Sequence, residues 1–240
     1  MVQTSMMTND ETNKLTEAFS GKVWYHDINR VIVEQDRDFA LTARQRSRRY
    51  PARLLRYFVP FHWLGREAAH RGRPLRVCEI GIAGGPMPRF TALGLRALGL
   101  EFSDVIERWI GVDIELLHEQ LAELSYDELI EADVEKDADN IPADCDVYIL
   151  LHVLEHLHSP EAVIGQLFPR LRPNAMVIAG FPTHPHLAVP FWNWYLRTHT
   201  KPNGHVSAMS NRRFTKAART AGCTIEDVRA GYFMRASGRM

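Results

Sequence analysis

At 240 residues, with 45% apolar and 24% charged side chains, the chain is long enough for one sizeable domain, with or without an extension. No apolar run approaches the roughly 20 residues of a membrane-spanning helix, and the polar start MVQTSMMTNDETNK has no leader-like apolar core, so a cytoplasmic protein away from membranes is expected. The formal net charge of zero conceals three blocks: residues 1–76 carry +6, residues 77–168 carry −15 and residues 169–240 carry +9, a division that fits either faces turned toward different partners or solvated helix faces.

Residues 1–20 read as a frayed lead. From about Val23 to Arg73 the pattern is helical and rich in arginine, with Pro51 and Pro60 expected to break it into pieces. ARQRSRRYPARLLR holds seven arginines when nearby Arg37 is counted; such a face suits solvent, a second copy of the chain, or phosphates. From Leu75 the texture changes. Short apolar runs ending in an acid or glycine alternate with amphipathic segments: LRVCEIG and TALGLRALGL, WIGVDI and LLHEQLAEL, DELIEADV, DVYILLHV and PEAVIGQLFPRL, then AMVIAGF and, after a long loop, NRRFTKAARTAG. CTIEDVRAG closes the series. Repeated strand–helix units imply a parallel sheet with helices on both faces, and right-handed crossovers make it doubly wound. The boundary falls between 1–74, a helical N-terminal extension, and 75–240, an α/β domain of Rossmann-like type with an insertion at about 182–209. Cys78, Cys145 and Cys223 have no CxxC spacing and read as reduced, buried small residues.

Ligands of such sheets bind beyond the carboxyl ends of the strands. The first strand ends at Gly81, and Gly81, Gly84 and Gly85 let the backbone turn sharply there. Pro86 suits the first turn of the following helix. The spacing G-x-x-G-G is not the dinucleotide fingerprint, and no G-K-[ST] follows. Glu79, two residues before the first glycine, would repel a pyrophosphate and suits a cationic ligand such as S-adenosylmethionine, which carries a sulfonium and an ammonium.

Four stretches then carry a resemblance to the class I S-adenosylmethionine-dependent methyltransferases, of the type that acts on small molecules: CEIGIAGG, WIGVDI, DVYILLHVLEHLHSPEAV and GHVSAMSNRRFTKAARTAGCTIEDV. It spans roughly Leu75 to Gly231 and rests on their order and spacing together. It implies strand order 3-2-1-4-5-7-6, with YFMRAS as the candidate last strand, and S-adenosyl-L-methionine as cofactor. It also implies a cofactor site of Glu79, Gly81, Ile82, Gly84, Gly85, Asp113, Ile114, Asp133, Val134, Leu151 and His152. Asp113 would take the ribose hydroxyls and Asp133 with Val134 the adenine edge. The segments flanking the core would form a substrate cap. Asp113 as a helix cap, Glu79 as a loop-capping acid and Asp133 as an exposed turn acid are the bland alternatives.

For proton transfer the candidates are His205 and His184, both expected at the rim where acceptor enters. His152, Glu155 and His156 stand at i, i+3 and i+4, a metal-ligand spacing if helical, with His205 as a fourth donor. Similar methyltransferases that bind a metal do so through E-x-x-E-H, and His152 stands where their first glutamate does. No metal is assigned, and Glu155 is read as an acid in the first turn of a helix. The flanking basic segments point to an anionic small-molecule acceptor, methylated on oxygen or nitrogen. FPTH replaces the N/D-P-P-[YF] signature of base-amino methylation. The alternatives are an RNA- or protein-directed enzyme using the arginine-rich extension, with nucleic acid as partner, and a non-catalytic binding subunit. A homodimer is a further expectation.

Overall fold

Five of the apolar runs form the sheet. The computed structural model describes residues 6–20, 50–83, 85–116, 126–199 and 204–229, and of residues 50–55 the backbone alone. In chain order these give α1 (Asn9–Ser20), α2 (Tyr50–Arg71), β1 (Leu75–Ile80), α3 (Pro86–Ala97), β2 (Ile106–Asp113), β3 (Glu128–Glu131), β4 (Val147–Leu151), α4 (Pro160–Leu167), β5 (Met176–Gly180), α5 (Val189–Thr198) and α6 (Asn211–Thr220). The strands pair in the order β3-β2-β1-β4-β5, every pair parallel. The chain therefore reverses its direction of growth between β1 and β4, and in sheets of this kind ligands bind beyond the carboxyl ends of the strands at that point.

Alternation along each strand divides the core in two. Leu75, Val77, Trp109, Val147, Ile149 and Ile178 meet α1, α2 and α3 on one face. Cys78, Ile80, Ile110, Val112, Tyr148 and Leu150 meet α4 and α6 on the other. Each fully buried large side chain contributes about 1.5–3 kcal/mol. The two cysteines that sequence placed in the interior, Cys78 and Cys145, are buried as free thiols, and Cys223 is half-buried.

Three expectations change. Residues 9–20 are not frayed. Thr8 and Glu11 form a capping box, the Thr8 N–H donating to Glu11 Oε2 at 2.8 Å and the Glu11 N–H to Thr8 Oγ1 at 3.3 Å. Leu15 and Phe19, one turn apart, are then buried against α2. Gly65 makes that approach feasible, since a Cβ there would stand 2.2 Å from Phe19 Cζ.

Second, Pro60 does not break the helix: α2 runs through it from Tyr50 to Arg71. The lost backbone hydrogen bond is outweighed because Tyr57, Phe61, Leu64 and Ala68 all enter the core on the same side. Helices α1 and α2 thus share one core with the sheet across residue 74. Third, Cys223–Arg229, read as a strand, forms no ladder among the described residues. The YFMRAS strand, the LLHEQLAEL helix and the arginines from Arg37 to Arg49 lie outside the described residues. No helix among the described residues is long and apolar enough to cross a membrane.

At the amino end of β4, Asp146 is fully buried. Its carboxylate accepts from Arg71 (3.2 Å), Arg73 (2.6 and 2.9 Å), Arg172 (2.9 Å) and the Arg76 N–H (3.0 Å). Burial pushes its pKa up, but the Arg73 hydrogen bonds and the Arg76 N–H outweigh that and hold it below the usual carboxylate value. Part of the basic charge of both flanking segments is therefore spent on the sheet itself.

Candidate active site

At the other end of the sheet, the loop after β1 turns through three left-handed residues, Gly81 (φ 77°), Ala83 (φ 48°) and Gly85 (φ 62°). Gly81 is required twice over. Its φ favours glycine, and a Cβ would stand 2.3 Å from Val153 Cγ2. Pro86 opens α3 as its sequence position implies. Gly84 lies outside the described residues. Asp113 ends β2 and is tied to the loop: its Oδ2 accepts from the Ala83 N–H and its Oδ1 from the Ile114 N–H, both at 2.7 Å. Ile114 beside it is an apolar side chain left 64% exposed, while Ile82 is buried.

Glu79 lies behind this loop, 4% exposed. Its Oε2 accepts from Trp109 Nε1 at 3.1 Å and Tyr126 OH at 3.0 Å. Burial pushes its pKa up to about 8, and the two hydrogen bonds offset only part of that. The same burial, with Glu79 alongside, drives the Tyr126 phenol upward. Sequence reading missed Trp109 and Tyr126 as partners of Glu79. Strand parity offered a signal for one of them, since Trp109, Gly111 and Asp113 alternate onto the face that carries Glu79.

Asp133 is occupied within its own turn. Its carboxylate accepts from Lys136 Nζ at 2.6 Å and from the Glu135 N–H at 3.0 Å, and the Lys136 bond lowers its pKa. Val134 is buried in the second core face. Leu151 ends β4, half-buried. His152 follows in a left-handed conformation (φ 59°), its N–H on the Gly180 carbonyl at 2.7 Å. A non-glycine residue held there stores about 1–3 kcal/mol of strain, a feature that collects at functional sites.

The residues after β4 and β5 converge. Leu154–His156 is a single 3-10 turn, not the start of an α-helix. His152 Nδ1 is 2.9 Å from Glu155 Oε1, and His205 Nε2 is 4.0 Å from the same oxygen. The rings of His156 and His205 stand edge to face with centroids 5.1 Å apart. His184 packs beside Trp192 (centroids 5.3 Å), and its N–H donates to the Met209 carbonyl at 2.9 Å. Burial lowers the pKa of both His184 and His205. The neighbouring imidazoles add to the effect, while Glu155 opposes it at His205. Asn193 of α5 pins the His205 segment by accepting the Ala208 N–H at 2.5 Å. Phe191, Trp194 and Tyr195 of α5 remain exposed.

A glycine-turned loop, an acid at the tip of the adjacent strand and a rim of imidazoles thus stand at the switch point of a doubly wound sheet, where folds of this class bind ligands. The profile of a family described as a methyltransferase domain matches residues 42–228, and the chain belongs to that family. It is a class I S-adenosylmethionine-dependent methyltransferase. A comparison with curated proteins found no match. Among solved structures, the chain is similar to magnesium protoporphyrin IX methyltransferase from Synechocystis PCC 6803, solved with bound S-adenosylhomocysteine, at 17% identity and TM-score 0.50 over 91% of both chains. It is also similar to an O-methyltransferase family protein from Burkholderia thailandensis, at 17% identity and TM-score 0.51 over 92% of this chain and 68% of that one. The carbon methyltransferase CurJ matches at 16% identity and TM-score 0.53 over 92% of this chain and 62% of that one. At these identities the three establish the fold.

Proposed function

We propose that the chain transfers the methyl group of S-adenosyl-L-methionine to an oxygen or nitrogen of a small anionic acceptor, with the crevice between Asp113 and the histidine rim as its active site. The observation that carries this reading is Asp113, fixed at the tip of β2 by the Ala83 and Ile114 N–H groups, with lone pairs left for a diol. The donor set fits the cofactor. Asp113 would take the ribose hydroxyls and the exposed Ile114 side chain would cover a purine face; the resemblance assigns the purine edge to Asp133 with Val134, although the Asp133 carboxylate is engaged by Lys136 and the Glu135 N–H. Gly81, Ile82 and Gly85 supply the backbone that follows the methionine portion, and Leu151 and His152 flank it. Glu79 behind the loop is a carboxylic acid that ionises when an ammonium approaches.

When bound, S-adenosylmethionine supplies a methyl group on a sulfonium, open to in-line displacement. The protein's part is alignment of acceptor and methyl, a proximity effect of several kcal/mol. His205 or His184 accepts the acceptor's proton; burial keeps both in the basic form near neutral pH. The +9 net charge of residues 169–240, which carry both imidazoles, supports the anionic acceptor.

Calorimetry of S-adenosylhomocysteine with chelator present tests the cofactor site. Micromolar binding to the wild type is expected, weakened at least tenfold (about 1.4 kcal/mol) in Asp113→Ala. No binding to the wild type would overturn the reading.

A further inference from the structure

We propose that Glu155, His156 and His205 bind a divalent transition-metal ion, with His152 as the positioning residue that holds Glu155. The fold assembles these side chains from two distant segments. The Val206 and Ser207 N–H groups donate to the Glu155 carbonyl at 2.9 and 3.1 Å, and the Ser207 hydroxyl donates to the Leu154 carbonyl at 2.8 Å. That clamp sets His205 against the 3-10 turn. One donor atom from each of Glu155, His156 and His205 then lies within 4.8 Å of the other two. Bonds of about 2.0–2.2 Å to a common ion close that span with modest side-chain rotation.

A second observation points to the ion. Glu155 is 3% exposed; its Oε1 meets His152 Nδ1 and is the oxygen 4.0 Å from His205 Nε2, while its Oε2 is buried with no hydrogen-bond partner among the described residues. A buried carboxylate oxygen without a partner is costly, and a cation bound by this carboxylate offsets that cost once the group turns to share both oxygens with it. The imidazole of His156 is already oriented for the task. Its Nδ1 faces the Gly204 carbonyl at 3.2 Å, which leaves Nε2 for a metal, the usual outer arrangement of a ligating histidine. His205 turns Nε2 toward Glu155.

Two imidazoles and one carboxylate favour zinc, cobalt, nickel or iron(II) over the hard magnesium and calcium ions. Since His152 is engaged with Glu155, the first position of H-V-L-E-H orients a ligand and does not supply one. Three protein ligands leave coordination positions for an outside oxygen. Within the methyl-transfer reading, that oxygen belongs to the anionic acceptor, His205 becomes a ligand, and proton transfer falls to His184. The metal site itself does not depend on that reading.

The full chain, stripped with chelator and dialysed, is titrated with Co²⁺ and followed by its visible d–d absorption. Saturation at one ion per chain in the micromolar range is expected, with displacement by stoichiometric Zn²⁺ and none by millimolar Mg²⁺. Glu155→Gln and His205→Gln, each checked for an unchanged melting profile, should weaken Co²⁺ at least tenfold; His152→Ala should weaken it less. No absorption below 1 mM Co²⁺, unaltered affinity in both ligand variants, or equal competition by Mg²⁺ would overturn the proposal. S-adenosylhomocysteine calorimetry on the stripped protein is run in parallel. Loss of metal binding with that affinity intact would sink the metal site alone; the converse would sink the cofactor reading alone.

Discussion

Asp146 and Glu155 are buried carboxylates on either side of the same strand, and they are treated in opposite ways. Asp146, at the amino end of β4, is met by three guanidinium groups and a backbone N–H. Glu155, just past the carboxyl end, is hydrogen-bonded to one imidazole and has an oxygen without a hydrogen-bond partner among the described residues. Asp146 has its charge settled within the chain, whereas one oxygen of Glu155 has no hydrogen-bond partner among the described residues. On the function and the metal site proposed above, stability and function occupy opposite ends of one sheet.

The largest effect should follow from breaking the settled end. Asp146→Ala leaves Arg71, Arg73 and Arg172 facing one another without their acid and should cost about 4 kcal/mol in urea unfolding, while the folded fraction keeps its S-adenosylhomocysteine affinity. A cost under about 1 kcal/mol would mean that this network is no more than a surface ion pair.

A somewhat smaller effect belongs to Glu79. Its folded pKa, about 8, lies above the usual 4.5, so the folded state holds a proton that the unfolded chain releases. Stability is therefore full below pH 4.5 and falls as pH rises toward 8. The loss is about 3 kcal/mol between pH 4.5 and 7, and Glu79→Gln should abolish that slope. Unfolding free energies measured across this range, wild type against variant, test it; parallel curves would place Glu79 in a far more polar setting. Bound cofactor, by presenting a cation, should flatten the wild-type slope.

The smallest change in stability sharpens the opening contrast. Glu155→Gln replaces a buried carboxyl group that has one oxygen unpartnered among the described residues, and should alter metal-free stability by less than about 1 kcal/mol. A loss as large as that of Asp146→Ala would show the two carboxylates to be equivalent.

Much of this was legible in the sequence, for identifiable reasons. A strand buried on both faces is an apolar run, so LRVCEI, WIGVD and VYILL announce themselves. Gly81 and Pro86 are residues whose backbone restrictions name their place. Asp113 was legible because it ends such a run. The α1 cap was also written, as T-N-D-E from Thr8 to Glu11, but its apolar residues are few and only tertiary packing gives them weight. Pro60 misled because local backbone preference was weighed without the core that α2 enters. Glu155 could be found by spacing, but not its state. An unpartnered oxygen is a fact about everything around it, and His205 arrives from fifty residues away.

Val153 joins the two halves of the site. Its Cγ2 fills the space that a Cβ on Gly81 would claim, and its carbonyl accepts the His156 N–H at 2.9 Å. The glycine loop and the histidine turn are thus keyed together, as a tongue sits in a groove. Neither can shift without pressing on the other, and order gained at one is shared by both. Were an ion at the turn and a nucleoside at the loop to bind as proposed, any coupling between them would run equally in each direction, each altering the other's affinity by the same factor.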